Sequence, residues 1–283
     1  MTAVVMDGTA LSKERRAALA DELRALGSPA VCLATVLVGD DGPSRRYVAS
    51  KQKLAAEIGM QSRHVGLPAD ASQGHVDDTV AALAADASVH AILVQMPLPD
   101  GLDTEHVLSL IPATKDVDGL TPASLGLLVR GQPGLVPCTP LGVMRLLEKY
   151  GVATKGKRAA VLGRSMLVGM PVALLLAAKG VDATVTIGHS RTPDLRDICV
   201  DADIIVSAVG VGGLVKADWV KPGAAVIDVG ISRTEAGIVG DIAYDEVAPR
   251  AGWITPMPGG TGPMTVACLL ENTLSAARLQ GAV

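Results

Sequence analysis

Lys51 occupies the middle of a helix face that ought to be buried. The segment Pro43-Ser-Arg-Arg-Tyr-Val-Ala-Ser-Lys-Gln-Lys-Leu-Ala-Ala-Glu-Ile-Gly59 reads as one helix, with Pro43 suited to its first turn and Gly59 to its stop. At about 100° per residue, Tyr47, Val48, Leu54, Ala55 and Ile58 fall within roughly 60° of Lys51, and Ser44 falls there too. Arg45, Arg46, Lys53 and Glu57 lie roughly 120° or more away. A lysine so placed admits two readings. Its methylenes can lie on apolar surface while the ammonium reaches water. Alternatively it is buried, which is costly unless it is paired or neutral and makes it a candidate acid–base group. Tyr47 one turn earlier and Ser44 two turns earlier put hydroxyls on the same line. The helix alone leaves both readings open.

A second group of residues has the form of a phosphate site. The strand Ala159 to Leu162 runs into Gly163-Arg-Ser-Met-Leu-Val-Gly169-Met-Pro171 and then a helix around Pro171 to Ala178. A glycine directly after a strand lets backbone amides approach a phosphate at a helix N-terminus. The spacing is not G-x-G-x-x-G, so an ordinary tight turn is the competing reading. The next strand ends in Gly188-His-Ser-Arg-Thr192. A site for NAD offers an acid to the ribose hydroxyls at this point, whereas this chain offers Ser190 and Arg191, with Arg164 near the same edge. A hydroxyl and cations favour a 2′-phosphate, hence NADP, although either arginine alone could be part of a solvated loop.

These residues need a frame, and the apolar pattern supplies one. Val31 to Val38 and Ala91 to Gln95 read as buried strands, with the Lys51 helix and a helix around Val76 to Ala85 between them. Gly131-Gln-Pro-Gly-Leu-Val-Pro-Cys-Thr-Pro140 is the best candidate for a boundary. A helix from Leu141 to Tyr150 follows, and then strands at Ala159 to Leu162, Ala183 to Ile187, Asp203 to Ser207 and Ala224 to Val229 form a Rossmann-like series. A last helix, Thr265 to Leu279, comes after Pro256-Met-Pro-Gly-Gly-Thr-Gly-Pro263. Strand–helix alternation of this kind predicts parallel sheets covered on both faces.

Composition narrows the classes. The 283 residues suffice for two domains; 49% are hydrophobic, 2% aromatic, and the net charge is −4. A mildly acidic chain with few stacking aromatics is not expected to bind nucleic acid. No apolar run approaches the ~20 residues of a membrane span, and no basic-then-apolar leader opens the chain, so a cytoplasmic protein is expected. The four cysteines are widely spaced, with no C-x-x-C pair, and read as buried apolar fillers; no metal site is expected.

Several strings, taken in order, then converge. They are Val38-Gly-Asp-Asp-Gly-Pro-Ser-Arg-Arg-Tyr-Val-Ala-Ser-Lys51, Val94-Gln-Met-Pro-Leu-Pro99, Lys115-Asp-Val-Asp-Gly119, Pro137-Cys-Thr-Pro140, Gly163 through Pro171, and Pro256-Met-Pro-Gly-Gly-Thr-Gly-Pro-Met-Thr265. Across essentially the whole chain they resemble the bifunctional methylenetetrahydrofolate dehydrogenase/methenyltetrahydrofolate cyclohydrolase family, the FolD type. The resemblance implies an α/β fold with two domains and an active-site cleft between them. An N-terminal three-layer catalytic domain (residues 1–140 with the C-terminal helix 265–283) would bind folate. A Rossmann-like domain (141–264) would bind NADP. It further implies a homodimer serving one-carbon metabolism and purine biosynthesis, acting on tetrahydrofolate derivatives. 5,10-Methylenetetrahydrofolate would lose a hydride to NADP⁺, and the methenyl product would be hydrolysed to 10-formyltetrahydrofolate.

Residue by residue, Lys51 matches the family's catalytic lysine, Tyr47 its partner tyrosine, Gln95 the glutamine that contacts the lysine, and Asp118 the acid that grips the pterin. Ser44 matches a serine near the folate, and Pro258, Gly259 and Gly260 a loop lining the folate site. Gly163, Arg164, Ser165, Ser190 and Arg191 match the cofactor strings, and Thr265 the string that closes the site. Thr9 after Asp7-Gly8, Leu120, Met257, Thr261 and Ser232 depart from the family's usual residues without removing any proposed catalytic group. A shikimate-type NADP reductase and a non-catalytic folate or nucleotide sensor on the same fold are the competing readings. The Lys51, Gln95 and Asp118 set disfavours the first, and retention of every reactive group disfavours the second. If Arg164 and Arg191 read a 2′-phosphate, replacing both by alanine weakens NADP⁺ binding far more than NAD⁺ binding in a titration, and equal losses would refute that role.

Overall fold

The computed structural model describes residues 3–39, 42–234 and 237–283. Asp40 and Asp41, part of the string ahead of Lys51, lie outside the described residues. In chain order the elements are β1 (Val4–Val5), α1 (Gly8–Ala25), β2 (Cys32–Val38), α2 (Gly42–Glu57), β3 (Gln61–Leu67), α3 (Gln73–Ala85), β4 (Ala91–Val94), α4 (Thr104–Ser109), α5 (Pro122–Val129) and α6 (Cys138–Lys149). There follow β5 (Arg158–Leu162), α7 (Gly169–Ala177), β6 (Thr184–Gly188), α8 (Leu195–Cys199), β7 (Ile204–Ser207), β8 (Ala225–Asp228), β9 (Ser232–Thr234), β10 (Gly237–Val239), α9 (Tyr244–Val247), β11 (Trp253–Ile254) and α10 (Thr261–Leu279). The chain divides into two compact units, Glu14–Cys138 with Leu269–Val283, and Met1–Lys13 with Thr139–Cys268.

The first unit is built on a three-stranded parallel sheet in the order β3-β2-β4. Every residue of β2 and β4 is buried, as expected of parallel strands covered on both faces. Ala34, Val36 and Val38 of β2 pack with Val76, Val80 and Leu83 of α3 and Val107 and Leu108 of α4. A separate cluster joins Leu19 and Leu23 of α1, Ala55 of α2, and Leu270, Leu274 and Ala277 of α10. Strand β3 is absent from the apolar pattern because it is an edge strand. It pairs in register with β2 from Cys32↔Gln61 to Val38↔Leu67, yet most of its side chains face solvent. Tyr47 is the one Phe, Trp or Tyr of this unit; Trp219, Trp253, Tyr150 and Tyr244 all belong to the other.

The second unit carries a six-stranded sheet in the order β1-β11-β8-β7-β5-β6, parallel at every pairing. From β5 the chain passes to β6 on one side and then crosses to β7 on the other. That reversal opens a crevice at the C-terminal ends of β5 and β7, the place where parallel sheets of this kind take ligands. Val206 and Ile227 are wholly buried inside the sheet, and Leu162, Ile205, Val226 and Ile254 share one core cluster with Cys199 of α8 and Val247 of α9. α10 starts at Thr261, earlier than the apolar period predicts. Gly262 and Pro263 look like loop residues in the sequence, but proline is well tolerated in a helix's first turn.

The first unit buries two lysines, Lys51 and Lys115. Lys115 has a structural explanation. Its Nζ donates to the carbonyl oxygens of Ala84 (2.9 Å) and Asp86 (2.7 Å), which end α3, so the ammonium satisfies carbonyls that the helix cannot. Burial pulls its pKa down, with Asp86 opposing. Lys115→Met should therefore lower the unfolding free energy by about 1–3 kcal/mol, the cost of leaving buried polar groups unpaired, with little change in denaturant m-value. An unchanged unfolding midpoint would show that the cap contributes nothing.

Candidate active site

Lys51 lacks such a saturated setting. It is 5% exposed, and its Nζ donates to Gln95 Oε1 at 3.1 Å and lies 4.3 Å from the centroid of the Tyr47 ring. Gln95 follows β4 directly, and its backbone N–H still pairs with Val36 of β2, so the side chain leaves the sheet from a fixed point. Gln95 Nε2 donates to the Met96 carbonyl at 2.8 Å, which turns the amide oxygen toward the lysine. Burial lowers the Lys51 pKa, while Asp118 and then Cys138 pull it back up. The net effect is a lowered pKa, the direction that favours a lysine acting as a base. Tyr47 keeps 38% of its surface exposed, but its phenol is pushed up to about 12, first by burial and then by Asp118 and Cys138. The ring therefore stays neutral. Ser44 lies one turn earlier on α2 and is half-buried.

Asp118 sits in a clamped turn. Gly119 N–H donates to the Asp116 carbonyl at 3.0 Å, and the buried Asp116 carboxylate accepts from Thr121 N–H at 2.8 Å, where α5 begins. Gly119 has φ +64, and a β-carbon there would stand 2.7 Å from Pro137 N. Only glycine lets the two backbones approach in this way. Asn272 of α10 fastens the same place, with Nδ2 donating to the carbonyls of Val117 (2.9 Å) and Val136 (2.8 Å). Cys138, read from the sequence as filler, donates its thiol to Val117 O at 3.3 Å and also hydrogen-bonds the Asp118 carboxyl. Burial raises the Asp118 pKa, opposed by Lys51 and then Cys138. Lys51, Tyr47, Gln95 and Asp118 are thus brought together in the three-stranded unit.

In the second unit the crevice between β5 and β7 is a cavity of about 430 Å³. Gly163, Arg164, Ser165 and Ser190 line it, together with His189, Leu195, Ala208, Val209, Val211 and Leu214. A β-carbon on Gly163 would stand 2.5 Å from Ala208 O, and one on Gly169 would overlap the Gly163 carbonyl. Gly163 thus lets β5 turn tightly and Gly169 lets α7 start against that turn, which is the work glycines do in dinucleotide folds despite the different spacing. The volume, the strand-end glycine and the adjoining Arg164 suit a phosphate-bearing dinucleotide. Arg191 does not line the cavity. Its side chain is exposed, and its backbone N–H donates to His189 Nδ1 at 3.2 Å.

The remaining residues lie elsewhere in this unit. Pro258, Gly259 and Gly260 form the loop before α10, where the Gly259 carbonyl accepts from Thr9 N–H at 3.0 Å. Gly8 approaches so closely that a β-carbon there would overlap the Gly260 carbonyl. Thr9, one of the departures noted above, therefore anchors the loop. Thr265, on α10, is bonded to Thr139 through the two hydroxyls at 3.0 Å and does not line the cavity.

Residues 6–118 match the catalytic domain of the tetrahydrofolate dehydrogenase/cyclohydrolase family, and residues 137–281 match its NAD(P)-binding domain. The chain belongs to this family. It is 53% identical over 279 residues to the bifunctional protein FolD of Acidiphilium cryptum, covering 98% of this chain and 99% of that one. Among solved structures, the bifunctional FolD enzyme of Campylobacter jejuni superposes with TM-score 0.95 at 43% identity, covering 98% and 99% of the two chains. The Trypanosoma brucei enzyme, solved with NADP cofactor and an inhibitor, gives TM-score 0.93 at 42% identity, with 99% of each chain covered. The chain is accordingly a two-domain α/β enzyme of the dehydrogenase/cyclohydrolase class.

Sequence reasoning gave no role to Cys138, although it lies inside a quoted string, and passed over Asn272. It also missed the β7-end residues lining the cavity, whose run Ala-Val-Gly-Val-Gly-Gly was a usable glycine signal. Asn272→Asp keeps the side chain's size but sets a carboxylate against two carbonyls. It should cost about 1–3 kcal/mol of stability and raise the folate KM more than the NADP⁺ KM. Equal shifts in both constants would show that Asn272 does not act through the Asp118 turn.

Proposed function

We propose that this enzyme oxidises 5,10-methylenetetrahydrofolate with NADP⁺ and hydrolyses the resulting 5,10-methenyltetrahydrofolate to 10-formyltetrahydrofolate at one site. The observation that carries this reading is the buried Lys51 amine, bonded to Gln95 and flanked by Tyr47 and Asp118. The three-stranded unit is read as the folate-binding catalytic domain and the six-stranded unit as the NADP-binding domain.

In the hydrolytic step, water adds to the methenyl carbon and loses one proton, which Lys51 in its neutral form accepts. The C–N5 bond then breaks as the remaining hydroxyl proton passes to N5, leaving the formyl group on N10. Gln95 holds the amine without charging it, because an amide oxygen only accepts. The Tyr47 ring supports the ammonium once formed and offers a flat surface for the folate. Asp118 accepts hydrogen bonds from the aminopyrimidine edge of the pterin, and the cationic substrate favours its ionised form. Ser44, Pro258, Gly259 and Gly260 are assigned to folate contact by their match to the family strings. NADP⁺, when bound, supplies the hydride acceptor for the oxidative step. The chain's part there is positioning: Gly163, Arg164, Ser165 and Ser190 at the cavity hold the phosphates, while Arg191 and Thr265 keep cofactor roles by their motif match. Preference for NADP rests on Ser190 and the two arginines, and on the NADP found in the Trypanosoma brucei relative. Among the described residues no helix is long and apolar enough to cross a membrane. A cytoplasmic homodimer that supplies one-carbon units to purine biosynthesis fits this chemistry.

Mixing the protein with 5,10-methylenetetrahydrofolate and NADP⁺ should generate NADPH absorbance; tight binding without turnover would favour a sensor. Because burial is the largest influence on Lys51 and lowers its pKa, the free-base fraction is greater at any pH than for an ordinary lysine near 10.5. Methenyl hydrolysis should therefore rise with pH along a limb centred below that value. In Lys51→Met that limb should vanish and the methenyl product accumulate. Full hydrolysis by the variant would overturn the assignment of Lys51 as base.

A further inference from the structure

The six-stranded unit buries two carboxylates that the chemistry above does not use. Asp228 ends β8 and Asp241 follows β10, at 2% and 0% exposure. Asp241 Oδ2 accepts from Ser207 Oγ at 2.9 Å and from Val209 N–H at 2.8 Å, and its Oδ1 accepts from Val211 N–H at 2.8 Å. Asp228 holds Asp241 from behind, its Oδ1 accepting from Asp241 N–H and its Oδ2 from Ile242 N–H, both at 3.0 Å. It is itself fixed by Thr255, whose hydroxyl accepts from Asp228 N–H at 2.7 Å, and by Thr261, whose hydroxyl donates to the Asp228 carbonyl at 2.8 Å. Gly230 and Gly240 close over the pair so tightly that a β-carbon on either would overlap a carboxylate. Burial raises the Asp228 carboxyl to about 6 despite its amide partners.

The segment that Asp241 holds is a wall of the dinucleotide cavity, since Ala208, Val209, Val211 and Leu214 line it beside Gly163 and Arg164. Two amides two residues apart, Val209 and Val211, converge on one carboxylate. Their N–H groups therefore point away from the cavity and their side chains are held at its edge. The same segment is tied again by Gly213 N–H to Gly240 O at 2.9 Å and by Val215 N–H to Asp241 O at 3.0 Å. Three donors converging on one fully buried carboxyl leave the loop a single geometry in which all of them are satisfied.

We propose that Asp241 is a positioning residue for the nicotinamide dinucleotide, its carboxylate setting the Ala208–Leu214 wall in the shape that admits the cofactor. This rests on reading the cavity as the NADP site. The test is Asp241→Asn in the full-length enzyme, with NADP⁺ affinity, both KM values and the cyclohydrolase rate measured side by side. An asparagine turns an amide donor toward at least one loop N–H, so the NADP⁺ dissociation constant and KM should rise roughly tenfold or more. The rate at saturating NADP⁺ and the cofactor-free hydrolysis of methenyltetrahydrofolate should stay near wild type. Ser207→Ala, which removes one of the three bonds, should move NADP⁺ affinity in the same direction by less. Unchanged NADP⁺ affinity in folded Asp241→Asn, or an equal loss of both activities, would overturn the proposal. If that variant does not fold, unchanged NADP⁺ affinity in Ser207→Ala would overturn it. Wild-type enzyme that binds no NADP⁺ would instead remove the reading of the cavity on which the proposal rests.

Discussion

An amine kept out of water, with one amide as its hydrogen-bond acceptor among the described residues, is the arrangement around which the three-stranded unit is organised. A buried ammonium is expensive, and Lys115 shows the ordinary solution, in which two carbonyl oxygens at a helix end stand in for water. Lys51 has Gln95, a tyrosine ring, and an acid that favours its charge without neutralising it fully. That incomplete compensation requires every neighbour to be fixed. The sheet fixes Gln95, the helix fixes Tyr47, and Gly119 with Asn272 fixes Asp118. Loosening any of them would let water or a second acceptor reach the amine and return it to an ordinary lysine.

The same economy of backbone groups governs the six-stranded unit, with the signs reversed. Here carboxylates are buried and amides surround them. In both units candidate site residues lie just beyond the C-terminal ends of parallel strands, at Gln95 after β4, Gly163 after β5 and Ala208 after β7. Parallel strands end with their carbonyls and the following loops on one side of the sheet, and helices begin there with free N–H groups. Glycine is used at these ends mainly for its missing volume: at Gly163, Gly230 and Gly240 another backbone or a carboxylate occupies the space a side chain would need.

Much of this was legible in the sequence. β2, β4, β5, β7 and β8 are continuous apolar runs because both faces of each are covered, and such runs stand out. β3 did not, since an edge strand with solvent-facing side chains has no apolar period to read. The Lys51 face was legible because one helix carries Ser44, Tyr47 and Lys51 in register. Gln95 and Asp118 became recognisable through the ordered strings, not through any local period. Asn272 was beyond reach: its shortest bonds go to backbone carbonyls, one of them 155 residues away, and backbone acceptors leave no mark in a sequence. Arg191 illustrates the opposite case, a residue whose type and position suit a phosphate while its side chain stands exposed outside the cavity.

The scarcity of aromatic residues has an optical consequence. With no Phe in the chain and both tryptophans in the six-stranded unit, the near-ultraviolet absorption and emission of the three-stranded unit come from the Tyr47 phenol, 4.3 Å from the Lys51 nitrogen. That chromophore sits directly against the buried amine. The unit therefore carries a built-in reporter, sensitive to the charge on its neighbouring amine and to whatever stacks on its ring, while indole emission reports separately on the other half of the chain.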